Sequence, residues 1–257
     1  MIGRGFVRSG YLPGVRPFHP LWLGTVPYAD AFALQRALHA ARVEDAVDDV
    51  LLLLEHPPTI TVSHTGRGRE NLVAGAQLLA ERGVVIEETD RGGNVTFHGP
   101  GQLVGYPIVK MLEGEQDLHA YLRRIEEVLI GMGEAFGVAT DRVKGRTGTW
   151  LTDERGWGTA KLAAIGVKAS RWTTLHGFAM NVHTDLSFFD LIVPCGISDA
   201  GVTSLAAELE HPPTLEAVAD VAAARFAEVF GRVASPPTER VRMLCGSHGV
   251  DPHAIEV

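Results

Sequence analysis

The chain of 257 residues contains very little cysteine. Only Cys195 and Cys245 are present, and two cysteines are too few for the disulfide framework of a small secreted protein. We therefore expect a reducing compartment, in which at least one of the two thiols is free to take part in chemistry.

Positive charge and long apolar runs are also scarce. The 23 Lys and Arg residues face 31 Asp and Glu residues, which gives a formal net charge of −8. A bulk attraction to nucleic acid or anionic lipid is excluded on this basis, so an acidic partner has to bind a local basic patch. The apolar run at residues 50–54 is too short to span a bilayer, and no signal-peptide core is visible near the N-terminus. We expect a cytoplasmic protein that binds neither nucleic acid nor membrane.

Hydrophobic residues make up 46% of the chain, which is enough for a substantial core. Apolar positions three and four residues apart predict helices, and Asp30, Asp117 and Thr214 are candidate N-caps. The predicted helices begin at Asp30, extend from about His119 to Phe136, and extend from Leu215 to Phe230.

Short apolar and β-branched runs predict strands at residues 50–54, 59–62 and 84–86. Between Leu162 and Met180 we expect short strand-like pieces that are separated by glycines. The strands occur in clusters with helices between them and do not alternate strictly with helices. This order favours an α+β fold with a mixed, largely antiparallel sheet flanked by helices.

Residues 91–102, RGGNVTFHGPGQ, form the most unusual local sequence. Four glycines and a proline are poor core material, but they let the backbone approach a ligand closely and present bare N–H groups. The segment matches neither common phosphate-loop pattern, so a structural hairpin loop stays an equal alternative. His98 within it is either a hydrogen-bonded structural residue or a catalytic one.

The eleven histidines do not form a recognisable metal motif. Cys245, His248 and His253 have a superficially metal-like spacing, but no second cysteine pair accompanies them, and a structural zinc needs four ligands. We expect no metal and no cofactor.

Three further segments join the glycine-rich stretch: AKLAAIGV at 160–167, HGFAMNV at 176–182, and IVPCGI at 192–197 followed by VTSL at 202–205. In this order and spacing the set closely resembles the octanoyltransferases of lipoate biosynthesis, octanoyl-[acyl carrier protein]:protein N-octanoyltransferases. The segment LLEHPP at 53–58 resembles the same family. A departure occurs at residues 61–67, TVSHTGR, where the family usually has Thr-x-Gly-Arg. The altered loop affects docking or the edge of the pocket, not the nucleophile.

The resemblance extends from about Pro27 to Leu209. It implies a single catalytic domain, which we place at residues 21–232, between an N-terminal extension at 1–20 and a C-terminal appendage at 233–257. The implied fold is similar to that of the biotin and lipoate protein ligases, with an acyl tunnel.

The implied reaction proceeds through a thioester. An octanoyl group passes from octanoyl-acyl carrier protein to Cys195, and then to a lysine of an apo lipoyl domain. The acceptors implied are the lipoyl domains of 2-oxoacid dehydrogenase complexes and the glycine cleavage H protein. Lys161 is implied as the residue that activates Cys195, because a nearby ammonium or a desolvated amine favours the thiolate. The implied substrate-binding residues are Arg91, Gly92, Gly93, Asn94, Val95, Thr96, Phe97, His98, Ala164, Ile165, Gly166, Gly177, Phe178 and Ala179.

Two other functions remain open at this point. An ATP-dependent lipoate or biotin protein ligase of the same fold would activate a free acid and would need no cysteine. A non-catalytic acyl-binding or lipoyl-binding module would keep the pocket but form no covalent adduct.

Both protein substrates implied by the resemblance are expected to be acidic, so docking requires basic residues. The candidates are Arg67 with Arg69, Arg123 with Arg124, and the segment from Arg142 to Arg146, which includes Lys144. Charge reversal of Arg142, Lys144 and Arg146 together is expected to raise the KM for the carrier protein.

Overall fold

A computed structural model describes residues 16–64, 68–193 and 200–256. Short 3₁₀ segments lie at Gly68–Asn71 and Leu186–Leu191. In chain order the remaining elements are β1 (Pro17–Thr25), α1 (Tyr28–Val43), β2 (Asp49–Glu55), β3 (Thr59–Ser63), α2 (Ala76–Glu81), β4 (Val85–Thr89), β5 (Val95–His98), β6 (Gln102–Ile108), α3 (Leu118–Ala135), β7 (Asp141–Val143), β8 (Arg146–Thr152), β9 (Gly158–Ser170), β10 (Thr173–Asn181), β11 (Gly201–Val202), α4 (Leu205–Glu208), α5 (Leu215–Phe230), β12 (Val233–Ala234), α6 (Glu239–Ser247) and β13 (His253–Ala254).

One large sheet has the strand order β12-β1-β2-β6-β10-β9-β8-β7, with β11 beside β9 and β13 beside β1. The strand β1 is parallel to β2 and β12, and β11 is parallel to β9, whereas the other neighbours are antiparallel. Helices α3 and α5 cover one face of this sheet, and α1 and α6 cover the other. The predicted α+β fold with a mixed, largely antiparallel sheet is confirmed.

The uniformly apolar run in β2 follows from its central position. Residues 50–54 are fully buried because alternate side chains reach the two helix-covered faces of the sheet. Leu51 and Leu53 pack towards α3 and α5, whereas Val50, Leu52 and Leu54 pack towards α1. A strand covered on both faces has no exposed positions at which polar residues would alternate.

Two of the predicted helices begin where the sequence placed them. The Asp117 carboxylate caps α3 by accepting from the backbone N–H groups of His119 and Ala120, and the Thr214 hydroxyl caps α5 at Ala217. The expectation that Asp30 caps the first helix is wrong. Helix α1 starts at Tyr28, directly after Pro27, whose fixed φ of −54° suits a helix start.

The expectation of short pieces between Leu162 and Met180 is also wrong, because β9 and β10 are long strands. They pair continuously from Ser170 with Thr173 to Ala163 with Met180. The glycines that suggested breaks lie opposite each other within this ladder, since Gly166 pairs with Gly177.

A second sheet of order β4-β3-β5 stands over the large one. Its core is formed by Ile60, Val62 and Phe97 together with Phe189 and other apolar residues of the 186–192 segment. The turn at residues 99–101 between β5 and β6 joins the two sheets, and it contains the GPG part of the glycine-rich stretch.

The predicted domain boundaries at residues 20 and 232 stay a prediction. In the structure β1 begins at Pro17, and β12 and β13 of the C-terminal segment pair with it. Val241 and Cys245 of α6 are fully buried in the cluster that includes α1. Among the described residues, none of the helices is both long and apolar enough to cross a membrane.

Candidate active site

A cavity of about 630 Å³ lies between the two sheets, with a rim formed by α3 and the turn between β7 and β8. Twelve of the fourteen predicted substrate-binding residues line it, and Lys161 lines it as well. The exceptions are Asn94 and Phe97. Phe97 is buried away from the cavity and stacks on Phe188, with ring centroids 4.6 Å apart. The twelve are Arg91, Gly92, Gly93, Val95, Thr96, His98, Ala164, Ile165, Gly166, Gly177, Phe178 and Ala179.

Small residues form the part of the cavity wall that belongs to the large sheet. Ala164 pairs with Ala179 and Gly166 pairs with Gly177, so two neighbouring cross-strand pairs carry almost no side chain. Directly paired residues point to the same face of a sheet. Larger side chains at these four positions would fill this part of the cavity, and the small residues leave it open.

Gly166 also allows the glycine-rich loop to rest on β9. A Cβ atom at this position would lie 2.8 Å from the carbonyl oxygen of Gly92, closer than real Cβ atoms approach an oxygen. The backbone N–H of Gly92 donates to the carbonyl oxygen of Val167 (3.0 Å). The loop is thus held against the strand edge by direct backbone contact.

Lys161 reaches the cavity because β9 contains a bulge. Thr149 pairs with Ala163 and Trp150 pairs with Lys161, so Leu162 is an extra residue on the β9 side. Leu162 and Ala163 both pack into the core below α3, whereas Lys161 and Ala164 both line the cavity. A bulge of this kind re-aims the side chains that follow and precede it, and bulges are frequent beside active sites.

The surroundings of Lys161 combine an aromatic ring with backbone from a later segment. Its Nζ lies 4.5 Å from the centroid of the Trp150 ring. Val202 of β11 pairs with Lys161, and the backbone N–H of Thr203 donates to the Lys161 carbonyl oxygen (3.0 Å). Cys195, the predicted nucleophile, lies outside the described residues.

Buried polar contacts fix the start of the glycine-rich loop. Arg91 is 7% exposed, and its guanidinium donates to the hydroxyl and the carbonyl oxygen of Thr61 and to the carbonyl oxygen of Gly92. Asp90 accepts from Lys168 Nζ (2.6 Å) and from His176 Nε2 (2.8 Å). The loop is therefore tied both to the small sheet and to the β9–β10 hairpin.

His176 adopts a conformation that is costly for a non-glycine residue, with φ of +59°. Its backbone N–H donates to the Gln35 side chain (2.9 Å), and its ring stacks on Phe32. Burial lowers the pKa of His176 even though Asp90 opposes this effect. The neutral ring then has its proton on Nε2, facing Asp90.

His56 and His98 form a neutral pair of imidazoles with ring centroids 5.7 Å apart, and His98 of this pair lines the cavity. Burial lowers the pKa of His56 to about 4 and the pKa of His98 to about 3. His56 Nδ1 donates to the Val26 carbonyl oxygen (2.6 Å), which leaves Nε2 to accept from the Tyr106 hydroxyl (2.7 Å). Both rings are uncharged at neutral pH, and the cavity therefore disfavours positive charge at this point.

A model of the lipoyl protein ligase A/B catalytic domain family matches residues 27–227. The chain belongs to this family. Its relatives include an octanoyltransferase of Koribacter versatilis, which is 50% identical over 210 residues, 81% of this chain and 82% of that protein. An octanoyltransferase of Chloroflexus aggregans is 49% identical over 209 residues, 81% of this chain and 92% of that protein.

Solved structures of lipoate protein ligases share the family fold. Ta0514 of T. acidophilum, a putative lipoate protein ligase with bound lipoic acid, superimposes with a TM-score of 0.67 at 15% identity and covers 90% of this chain and 92% of its own. Lipoate-protein ligase A bound with ATP gives 0.69 at 14% identity, with the same two coverages. At these identities the likeness concerns the fold.

Within this lipoyl ligase A/B fold, the predicted basic residues have different surroundings. Arg142 forms ion pairs with the buried Glu126 and with Glu127, and Arg123 also pairs with Glu126. Arg124 lies over the Phe230 ring and donates to the Val229 carbonyl oxygen.

The other basic candidates lie nearer the surface. Arg69 pairs with Glu88. Arg146 lines the cavity and lies over the Trp150 ring, while Lys144 is exposed in the turn beside it. Arg67 lies outside the described residues.

Sequence reasoning missed several polar residues of the site, among them Tyr28, Gln102, Tyr106, His176 and Asn181, all of which line the cavity. A usable signal was present for three of them. Gln102 follows His98 by four residues across a glycine turn, and His176 and Asn181 are polar residues on either side of the apolar part of β10. Among the described residues, no group of three or more His, Cys, Asp and Glu side chains is placed to hold a metal ion.

Proposed function

We propose that this chain transfers an octanoyl group from octanoyl-acyl carrier protein to a lysine of an apo lipoyl domain, through a thioester on Cys195. The observation that carries this proposal is the cavity, which is walled by paired glycines and alanines and has Lys161 on its surface. The octanoyltransferases at about half identity over most of the chain support the same activity.

The small-residue wall suits an unbranched acyl tail. Burial of about seven methylene and methyl groups at about 0.8 kcal/mol each gives an upper estimate near 5–6 kcal/mol, which the ordering of the chain reduces. Ala164, Ala179 and the Gly166–Gly177 pair leave this tail a smooth surface without polar side chains.

The chemistry balances in two steps. In the first, Cys195 sulfur forms a bond to the octanoyl carbon, the carrier C–S bond breaks, and the carrier thiol takes up a proton. In the second, the acceptor lysine nitrogen forms the amide bond, the bond to Cys195 breaks, and the proton of the amine passes to the cysteine sulfur. Thioester exchange is nearly isoenergetic, whereas the step to the amide is downhill.

Lys161 is the residue proposed to accept and donate these protons. A free cysteine has a pKa of about 8.5 and is only a few per cent thiolate at neutral pH. An ammonium within about 4–6 Å would favour the thiolate, and the amine form would accept a proton from thiol or substrate. Val202, seven positions after Cys195, pairs with Lys161, which supports an assignment of the two residues to one site.

The partners proposed are octanoyl-acyl carrier protein and the lipoyl domains of 2-oxoacid dehydrogenase complexes and the glycine cleavage H protein, in the cytoplasm. Lys144 and Arg146, at the rim of the cavity, are the docking residues that the structure favours for an acidic carrier. No metal and no cofactor enters the proposed reaction.

The test is intact-mass measurement of the protein after incubation with octanoyl carrier protein. We expect the mass to increase by one octanoyl group, and we expect Cys195→Ala to abolish this increase. Cys245→Ser is the matched control, since Cys245 is fully buried beside α1 and does not line the cavity. An unmodified wild-type protein would refute the thioester route.

The same preparation separates the proposed transferase from a ligase. Incubation with free octanoate, ATP and an apo lipoyl domain should give no modified domain. A modified domain, formed equally well by Cys195→Ala, would assign the chain to the ATP-dependent reaction instead.

A further inference from the structure

A chain of hydrogen bonds connects the cavity to the segment beside Lys161. Gln102 Oε1 faces His98 Nδ1 at 2.8 Å, and Gln102 Nε2 donates to Asn181 Oδ1 (2.9 Å). Asn181 Nδ2 in turn donates to the Thr203 carbonyl oxygen (2.9 Å). The backbone N–H of Thr203 donates to the carbonyl oxygen of Lys161. His98, Gln102 and Asn181 are all nearly fully buried.

Backbone carbonyls fix the direction of every bond in this chain. The Thr203 oxygen only accepts, so the Asn181 amide nitrogen faces it and the Asn181 oxygen faces Gln102. The Gln102 amide nitrogen also donates to the Phe97 carbonyl oxygen (3.2 Å). The oxygen of Gln102 is thus the atom left for His98, and His98 Nδ1 has to be the protonated ring nitrogen.

The neutral ring of His98 therefore carries its lone pair on Nε2, in a residue that lines the cavity. Two neighbouring groups that could donate to it are engaged elsewhere. The Tyr28 hydroxyl donates to Thr89 Oγ1 (2.9 Å), and His56 Nδ1 donates to Val26. Within the described part of the chain, no hydrogen bond to His98 Nε2 is formed. This nitrogen can therefore accept a hydrogen bond from a substrate group in the cavity.

The chemistry of the substrates identifies the donor. The octanoyl group and its thioester linkage have no N–H or O–H group, so this part of the first substrate offers nothing to a lone pair. The amine of the acceptor lysine does offer N–H groups. It has to be neutral to attack, and a site that disfavours charge on histidines also favours a neutral amine.

We propose that His98 Nε2 accepts a hydrogen bond from the amine of the acceptor lysine in the second half-reaction, and that Gln102 and Asn181 are positioning residues that hold His98 in the required tautomer. This inference rests on the proposed function. His98 orients the nitrogen lone pair towards the thioester carbonyl and takes no proton itself.

The first experiment separates the two half-reactions by intact mass. Octanoylation of the enzyme by octanoyl carrier protein is measured first, and transfer from the isolated octanoyl-enzyme to an apo lipoyl domain is measured second. For His98→Leu and Gln102→Leu we expect octanoylation at about the wild-type rate and transfer slowed at least about tenfold. Gln77→Leu is the matched control, because Gln77 is an exposed glutamine of α2 that bonds only to Glu81 among the described residues.

Equal slowing of both half-reactions would overturn the proposal, since His98 would then serve the cavity as a whole or contact the carrier arm. An unaltered transfer rate in His98→Leu would overturn it too. If the wild-type protein acquires no octanoyl group at all, the proposed function fails first, and the mass data show this directly.

Gln102→Glu gives a readout that a purely structural role would not produce. A carboxylate in place of the amide still accepts from His98 Nδ1 but favours the imidazolium, in which Nε2 donates and no longer accepts. The wild-type transfer step also slows as the pH falls, because the acceptor amine has to be neutral, and we expect the loss of rate in this variant to begin at a higher pH than in the wild type. A loss of rate that is independent of pH would argue against the tautomer role.

The tautomer is also measurable without any acyl chemistry. In ¹⁵N NMR of histidine-labelled wild-type protein, we expect His98 to show a protonated Nδ1 and an unprotonated Nε2, and we expect Asn181→Asp to retain this pattern because an aspartate oxygen still accepts from Gln102. A protonated Nε2 in the wild type would overturn the proposal even if octanoyl transfer proceeds normally.

Discussion

Lys161 and Ala164 point into the same cavity although an odd number of positions separates them along β9. In a regular strand such residues face opposite sides. The extra residue at Leu162 reverses the alternation, so Leu162 and Ala163 both enter the core and Lys161 is turned to the site. The position of the proposed proton-transfer residue is therefore set by backbone geometry rather than by side-chain pattern.

Replacement of Lys161 distinguishes its two proposed roles. Lys161→Arg keeps a positive charge that favours the Cys195 thiolate but cannot act as a base, whereas Lys161→Met removes both properties. We expect octanoylation of Cys195 to persist partly in the arginine variant and to fall about 100-fold or more in the methionine variant. Transfer to the acceptor lysine should be lost in both. Single-turnover mass measurements check this, and an arginine variant with full transfer would assign Lys161 a purely electrostatic role.

Ala164→Val should shorten the preferred acyl chain. The two added carbons point into the cavity from β9 and occupy the space of roughly two methylene groups, each worth about 0.8 kcal/mol. We expect the ratio of kcat/KM for hexanoyl over octanoyl carrier protein to rise about tenfold. Ala80→Val, at an exposed position of α2, serves as the control. An unchanged ratio would mean that the tail does not pass Ala164.

Acid should destabilise the fold through His56 and His98. Burial lowers their pKa values to about 4 and about 3, from 6.5 in an unfolded chain. Below pH 6.5 the unfolded chain binds protons that the folded chain excludes, so the free energy of unfolding falls as the pH falls. Each histidine contributes about 1.4 kcal/mol per pH unit until its folded pKa is reached.

Denaturant titrations between pH 7 and pH 4 measure this slope. We expect His98→Gln to reduce the slope by about one proton. A slope that is the same in His98→Gln and in the wild type would show that His98 binds its proton equally well in the folded and in the unfolded chain.

Thr61→Val should loosen the glycine-rich loop. The Thr61 hydroxyl accepts from the buried Arg91 guanidinium, and valine removes this acceptor without much change in shape. We expect a loss of about 1–3 kcal/mol in the free energy of unfolding together with a raised KM for the acyl substrate. Thr61→Ser retains the hydroxyl and should behave much like the wild type, and equal loss in both variants would point to packing instead.

Lys144→Glu is a cleaner docking test than charge reversal of the whole 142–146 segment. Arg142 holds the β7–β8 turn on α3 through Glu126 and Glu127, so its reversal would damage the fold as well as the surface. We expect Lys144→Glu to raise the KM for carrier protein several-fold at low salt, and less so at high salt, because rim charges are screened. Steady-state kinetics at two ionic strengths measure this effect. A KM that is the same in Lys144→Glu and in the wild type would remove this turn from the docking surface.

The local sequence pattern was sufficient to predict those elements that tertiary contacts bury but do not reshape. The caps at Asp117 and Thr214 and the buried run in β2 depend on adjacent residues and on burial, both of which a sequence displays. It was insufficient for the β9–β10 hairpin, because Gly166 and Gly177 look like breaks along the chain. Gly166 and Gly177 instead pair with each other across the hairpin, and their lack of side chains leaves room for the glycine-rich loop and for the cavity.

The sequence by itself determined the family resemblance, the α+β class, and about half of the residues that line the cavity, since these depend on residue types at fixed spacing. Tertiary structure decided which polar groups meet. The hydrogen bonds from His98 through Gln102 and Asn181 to Thr203 join residues that are up to 105 positions apart. A single extra residue in β9 directs Lys161 into the cavity. Neither a non-local hydrogen bond nor a bulge leaves a trace in local periodicity, because both arise from how strands are paired.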